Sequence, residues 1–141
     1  MIYTSITPEA FLENNISNDI HQMNEHIRSL LINAPPSHEI PFDVLQDIRR
    51  KGGGLLAFQA NSDRAVNKTV EYDNRKVMIR IFNQNNPKFI YLHIHGGGHC
   101  IGAADMQDQS LEKISKDLNC VVVSVEYRLA PNNPYPAAPD D

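Results

Sequence analysis

Residues 89–102 read FIYLHIHGGGHCIG, where Phe89 to Ile94 form a nearly unbroken apolar and aromatic run that stops in three consecutive glycines. A run of that kind, ended abruptly by turn residues, predicts a buried strand that leaves a sheet and turns at once into a loop. Gly96, Gly97 and Gly98 together are costly in backbone entropy unless the backbone has a special task. The task that fits is close approach to a ligand, with bare N–H groups aimed at one point. Paired donors of that sort stabilise the oxyanion that develops in acyl transfer. Taken alone, the triplet fits a flexible turn equally well. The segments on either side decide between the two.

Downstream, Leu111, Ile114 and Leu118 fall on one stripe of a helix predicted from about Asp105 to Leu118, and CVVVSV at Cys120–Val125 is a second apolar strand. Strand, helix, strand predicts a right-handed βαβ crossover with its two strands parallel. The glycine loop then lies at the carboxyl end of its strand, where open α/β sheets bind ligands. Upstream, Val70 and Tyr72 lead into a turn at Asp73-Asn74, after which Val77, Ile79 and Ile81 alternate with polar neighbours. That pattern predicts a β-hairpin with one face buried. The last residues, EYRLAPNNPYPAAPDD at 126–141, are rich in proline and predict a rigid, irregular connection with Tyr127, Leu129 and Tyr135 to bury. Ala130-Pro131 and Tyr135-Pro136 are places where a cis peptide can be locked in.

The first third of the chain reads differently. A cap residue, a proline and an acid at Thr7-Pro8-Glu9 predict a helix start. Ile20, Met23, Ile27, Leu30 and Leu31 recur at helical spacing until Pro35-Pro36. A shorter helix fits Phe42 to Lys51, and Gly52-Gly53-Gly54 then reads as a helix terminus or hinge. We therefore divide the chain into a helical N-terminal region, 1–60, and the first part of an α/β core, 61–141.

Composition narrows the function classes. The 141 residues are 41% hydrophobic and 21% charged with a formal net charge of −4, which suits one modest globular core and argues against a nucleic-acid face. No apolar run approaches the roughly 20 residues of a membrane span, and the N-terminus lacks the basic and apolar regions of a secretory signal. Cys100 and Cys120 form no framework, so free thiols and a cytoplasmic setting are expected.

HGGG at His95–Gly98, Gly102 shortly after, a helix, CVVVSVEYRLAP, and then YPAAPDD together resemble the hormone-sensitive-lipase-like branch of the α/β-hydrolases. The resemblance is strong from about Val70 to Asp141 and weaker over the N-terminal helices, which look like that family's helical cap. It implies a serine carboxylic-ester hydrolase acting on a small-molecule ester, with no cofactor and no metal. It implies that Gly97 and Gly98 supply oxyanion-hole N–H groups, while His95 and Gly96 shape the loop that presents them. Arg128 in YRLAP becomes a structural anchor with Asp140 or Asp141 as its charge partner. Two departures stand out. His99 occupies a place where an aromatic residue usually follows the glycines, and Glu126 stands where the family often has Asp.

One part of the machinery is missing from these residues. No G-x-S-x-G occurs, and Ser110, Ser115 and Ser124 fall on a helix or in a strand rather than on a strand-to-helix elbow. The triad of this fold runs Ser, then acid, then His, and all three would follow what is present here. The 141 residues alone are expected to be inactive, because an oxyanion hole without a triad gives only a small residual rate. The family's strand order makes the Phe89–Ile94 strand central, which would leave one of its edges unpaired here. Single-domain α/β folds commonly run to about 200–250 residues. Asp141 is thus expected not to be a natural domain end, and a complementary C-terminal segment is expected to supply the nucleophile, acid and His.

Two rival readings remain open. His93, His95 and His99 form H-x-H-x3-H, a spacing compatible with a metal site, against which His93 is expected to hydrogen-bond inside the sheet. A non-catalytic ligand-binding protein or pseudoenzyme could use the same scaffold, since fold does not fix function.

Overall fold

A computed structural model describes residues 8–12, 16–51 and 61–141. Two compact units divide between Glu39 and Ile40. In the first, the chain makes a short 3-10 turn at Pro8–Phe11 where the proline signal predicts a helix start, and then helix α1, Asn18–Leu31. The helix closes at Ile32, whose N–H bonds the Arg28 carbonyl, a few residues before Pro35. Its apolar residues Ile20, Met23, Leu30 and Leu31 are all exposed. The glycine triplet at 52–54 and the predicted boundary at residue 60 lie outside the described residues.

The second unit opens with α2, Phe42–Arg50, and continues in a four-stranded sheet. β1, Val66–Tyr72, and β2, Arg75–Phe82, are an antiparallel hairpin. Asp73 and Asn74 both take positive φ at its two-residue turn, the twist that matches right-handed strands. β3, Ile90–Ile94, helix α3, Asp108–Leu118, and β4, Val121–Glu126, form the crossover, with β3 and β4 parallel. β4 enters between β2 and β3, giving the order β1-β2-β4-β3. The chain closes with the one-turn helix α4, Ala137–Asp140, after cis bonds at Ala130-Pro131 and Tyr135-Pro136.

Two expectations about burial are corrected. Alternation predicts that Val77, Ile79 and Ile81 carry the buried face of the hairpin. Ile81 is buried there and Val77 and Ile79 are half-buried, so the expectation holds in part, but the face closed by α3 is the opposite one. There Phe82, Val122, Cys120 and Leu111 pack together, with Ala65 and Ile114 against them. This face also holds Arg80, only 7% exposed, on the fully buried Asp108 of α3. Arg80 Nε donates to Asp108 Oδ1 at 2.8 Å and its Nη2 to Oδ2, while Nη1 reaches Asn67 Oδ1 at 2.9 Å. A cation is tolerated there because its charge and donors are matched, and Asp108 pushes the Arg80 pKa up.

The second correction concerns β3. Its apolar sequence predicts a buried strand, yet Ile90, Leu92 and Ile94 are 71%, 61% and 63% exposed. In register they share a face with Val121, Val123 and Val125 of β4, and with Ile79 and Ile81 beyond. Among the described residues no helix packs on β3 as α3 packs on β4, whereas Ile81 at the far side of the face is buried and Asp140 of α4 borders Val77, Ile79 and Val125; β3 pairs on one edge only.

Candidate functional site

β3 delivers the chain to the glycine turn at the sheet end shared with β4. Each of three successive carbonyls there is held. The Tyr127 hydroxyl donates to the His95 carbonyl at 2.7 Å. His95 Nδ1 lies 2.9 Å from the Gly96 carbonyl, so Nδ1 carries the proton and donates. The amides of Cys100 and Ile101 both donate to the Gly97 carbonyl at 3.1 Å. In a planar trans peptide the N–H points away from the C=O. The directions of the Gly96, Gly97 and Gly98 amides therefore follow from three tethered carbonyls. No hydrogen bond among the described residues takes up the Gly97 or Gly98 N–H.

The glycines differ in why they are needed. At Gly97, φ is +130° and a Cβ would sit 1.9 Å from the Ile101 carbonyl oxygen. At Gly102, φ is +105° and a Cβ would lie 2.5 Å from the Gly96 oxygen and 2.6 Å from His95 Nδ1. Gly98 needs only its φ of +62°, and a Cβ on Gly96 would meet nothing within 4 Å.

The surroundings clamp this turn. The His95 imidazole is buried and stacks on Tyr127 with centroids 4.1 Å apart and planes at 11°. Its Nε2 is buried without a hydrogen-bond partner among the described residues. His99, at φ 60°, tilts its ring onto the same tyrosine at 5.7 Å, and its carbonyl accepts from the Ala130 amide at 2.9 Å. From α2, Gln46 Nε2 donates to the Cys100 carbonyl at 2.8 Å. Glu126 accepts from the Ala104 amide at 2.5 Å and lies 3.7 Å from Arg50, so the extra methylene over Asp is accommodated.

The histidine triplet does not gather. The Ser124 hydroxyl donates to the Ala104 carbonyl at 3.0 Å, which leaves its oxygen to accept from His93 Nδ1 at 2.8 Å. Burial first, then the neighbouring His95, pushes the His93 pKa down. Among the described residues no cluster of His, Cys, Asp and Glu is arranged to hold a metal ion. Arg128 takes Asp141 as its partner. Nε donates to both carboxylate oxygens at 2.9 Å, Nη2 donates to Oδ1 at 2.6 Å, and the Arg128 amide adds 2.8 Å to Oδ2. The Asp141 side chain is buried while Arg128 is half-exposed, so the expected buried pair is buried on one side only. Asp140 belongs to Arg75, whose Nη1 donates to the Asp140 carbonyl at 2.6 Å.

Sequence reasoning missed Gln46 and the hydroxyl of Tyr127. Nothing in the helical spacing of α2 marks Gln46. Tyr127 carried a signal as a large residue in a proline-rich stretch, but not the direction of its O–H.

Comparison with known proteins agrees with this architecture. A family profile described as alpha/beta hydrolase fold matches residues 91–141. An AB hydrolase superfamily protein of Schizosaccharomyces pombe is 41% identical over 135 residues, 87% of this chain and 39% of its own length. Carboxylesterase NlhH of Mycobacterium tuberculosis is 37% identical over 84 residues, 55% of this chain and 26% of its own. Among solved structures, an esterase/lipase from an uncultured bacterium superposes with a TM-score of 0.65 at 22% identity, over 89% of this chain and 41% of that one. The chain thus spans less than half the length of each. Among the described residues no helix is long and apolar enough to cross a membrane. From the family profile over the glycine turn and β4, from these relatives and from the common fold, the chain belongs to the α/β-hydrolase family, whose esterase members it matches over less than half of their length.

Proposed function

We propose that these residues form the oxyanion-binding half of a serine carboxylic-ester hydrolase. The observation that carries the reading is a pair of amides, Gly97 and Gly98, without partners among the described residues while the carbonyl on the far side of each peptide is tied. In the reaction a serine hydroxyl attacks the ester carbon, and the carbonyl oxygen gains negative charge. The two amides donate to that oxygen more strongly in the tetrahedral state than in the ground state. Losing one such donor typically costs about 2.7–4 kcal/mol of barrier lowering. The serine, the acid and the His come from outside these 141 residues, on a C-terminal hydrolase segment. The 141 residues alone hydrolyse nothing at a useful rate. The substrate class is a small-molecule ester, and the setting is cytoplasmic, in keeping with the free thiols Cys100 and Cys120.

The test joins this chain to its C-terminal hydrolase segment and follows p-nitrophenyl butyrate hydrolysis. Gly97→Ala drives a Cβ against the Ile101 carbonyl and must move the turn. Turnover is expected to fall by about a hundredfold or more. Activity of the wild-type assembly that survives Gly97→Ala unchanged refutes the oxyanion role. An assembly that binds esters without cleaving them identifies a binding protein on this scaffold instead.

A further inference from the structure

The three anchors on the glycine turn are not alike. Those on Gly96 and Gly97 come from the turn's own neighbours, His95, Cys100 and Ile101. The anchor on His95 comes from outside, from the phenol of Tyr127 just past β4. The same ring also stacks on the His95 imidazole. Because Nε2 of that imidazole is unpartnered among the described residues, no polar contact at that end fixes its rotation. The stack and the Nδ1 bond to Gly96 fix it. Tyr127 therefore acts on two consecutive peptides. Its O–H holds the His95–Gly96 unit directly, and its ring holds the imidazole that tethers the Gly96–Gly97 unit, the one bearing the Gly97 N–H.

We infer that Tyr127 is a positioning residue for the oxyanion-binding amides, setting the aim of the Gly97 N–H through its stacked face and, by fixing the preceding His95–Gly96 peptide from which that unit hangs, through its hydroxyl. This rests on the esterase reading, in which that N–H is a donor. The alternative role for a tyrosine that is 5% exposed is to fill space. Phenylalanine would fill the same space, so the hydroxyl separates the two. Burial, then the nearby Glu126 carboxylate, pushes the Tyr127 pKa up and keeps the phenol a donor across the range in which esters are assayed.

The experiment compares wild type, Tyr127→Phe and Tyr127→Leu in the chain joined to its C-terminal hydrolase segment. Each is assayed with p-nitrophenyl butyrate and titrated with an alkyl trifluoromethyl ketone, whose serine adduct presents an oxyanion. For Tyr127→Phe, kcat is expected to fall about tenfold to a hundredfold, the range for a donor moved off its line. KM should stay within about twofold and ketone affinity should fall by the same factor as kcat at a temperature where both variants are fully folded, because the ground-state ester barely uses the amides. Tyr127→Leu, which also loses the stack, should lose more. Ketone affinity of Tyr127→Phe equal to wild type overturns the inference, whether kcat is kept or falls only with Tm. A wild-type assembly that cleaves no ester overturns the esterase reading and the inference together, whereas an active wild type with an indifferent Tyr127→Phe overturns the inference alone.

Discussion

Gly96, Gly97 and Gly102 look alike in the sequence and differ in what a methyl group would meet. Gly97→Ala and Gly102→Ala each force a Cβ into backbone atoms at positive φ. Overpacking costs roughly 1–3 kcal/mol, and a left-handed conformation for a non-glycine adds about 1–2 kcal/mol. Thermal unfolding is expected to register both losses, while Gly96→Ala should leave Tm within a degree or two. Sequence alone marks the triplet as costly but ranks its members only by family resemblance, because the clash at Gly97 comes from a carbonyl four residues on. His93 was legible, since a histidine inside a sheet strand needs a hydrogen-bond partner and Ser124 lies opposite it in register. Its folded pKa is lowered, so the unfolded chain binds a proton more readily. Stability from this group is complete above the unfolded value near 6.5 and declines as pH falls through and below it. Urea unfolding between pH 7.5 and 5.5 should show this decline, and His93→Gln should flatten it.

Helices and strands were the most readable level. The positions of α1, α2, β1, β2, β3 and β4 follow from period and punctuation, with α3 starting at Asp108 rather than Asp105. What period could not supply was that β2 is buried on both faces at its end, Ile81 on one and Arg80 and Phe82 on the other. Three β-branched residues on one side outweighed Met78, Arg80 and Phe82 on the other, and no local rule sets an arginine inside. The answer depends on Asp108 in the first turn of α3, a long-range pairing. Removing one partner of a buried pair typically costs about 3–5 kcal/mol, because the other charge remains. Asp108→Ala should therefore lower the urea midpoint sharply, and the double replacement Arg80→Met with Asp108→Leu should restore much of it. If the double variant is as unstable as the single, the cost lies in Asp108's other bond, to the Ser62 amide, rather than in the uncompensated cation.

For the molecule, the α/β class and the esterase family were legible because HGGG and YRLAP stand in register across a helix of suitable length. The solvent exposure of β3 was not, because apolar sequence reports what a strand is built to be buried by, not what is beside it. Expressed as these 141 residues alone, the protein is expected to bind anilinonaphthalene sulfonate and self-associate through Ile90, Leu92 and Ile94. Co-expression with the C-terminal hydrolase segment should abolish both, as read by dye fluorescence and light scattering. At the chain's other fastening, Arg128 holds the Asp141 pKa below the usual carboxylate range. That contribution is present above about pH 4 and disappears as pH falls through the lowered value, so Arg128→Met should move acid unfolding to higher pH.

The glycine turn is held by Tyr127 and by the Ala130 amide, both of which lie about thirty residues further along the chain. On the ribosome, the turn therefore emerges from the exit tunnel ahead of its clamps, which follow it out only later. Until Tyr127 and Ala130 have emerged and β4 has inserted between its neighbours, the His95 and His99 carbonyls lack these anchors, so the turn reaches its final form only as a late event of synthesis.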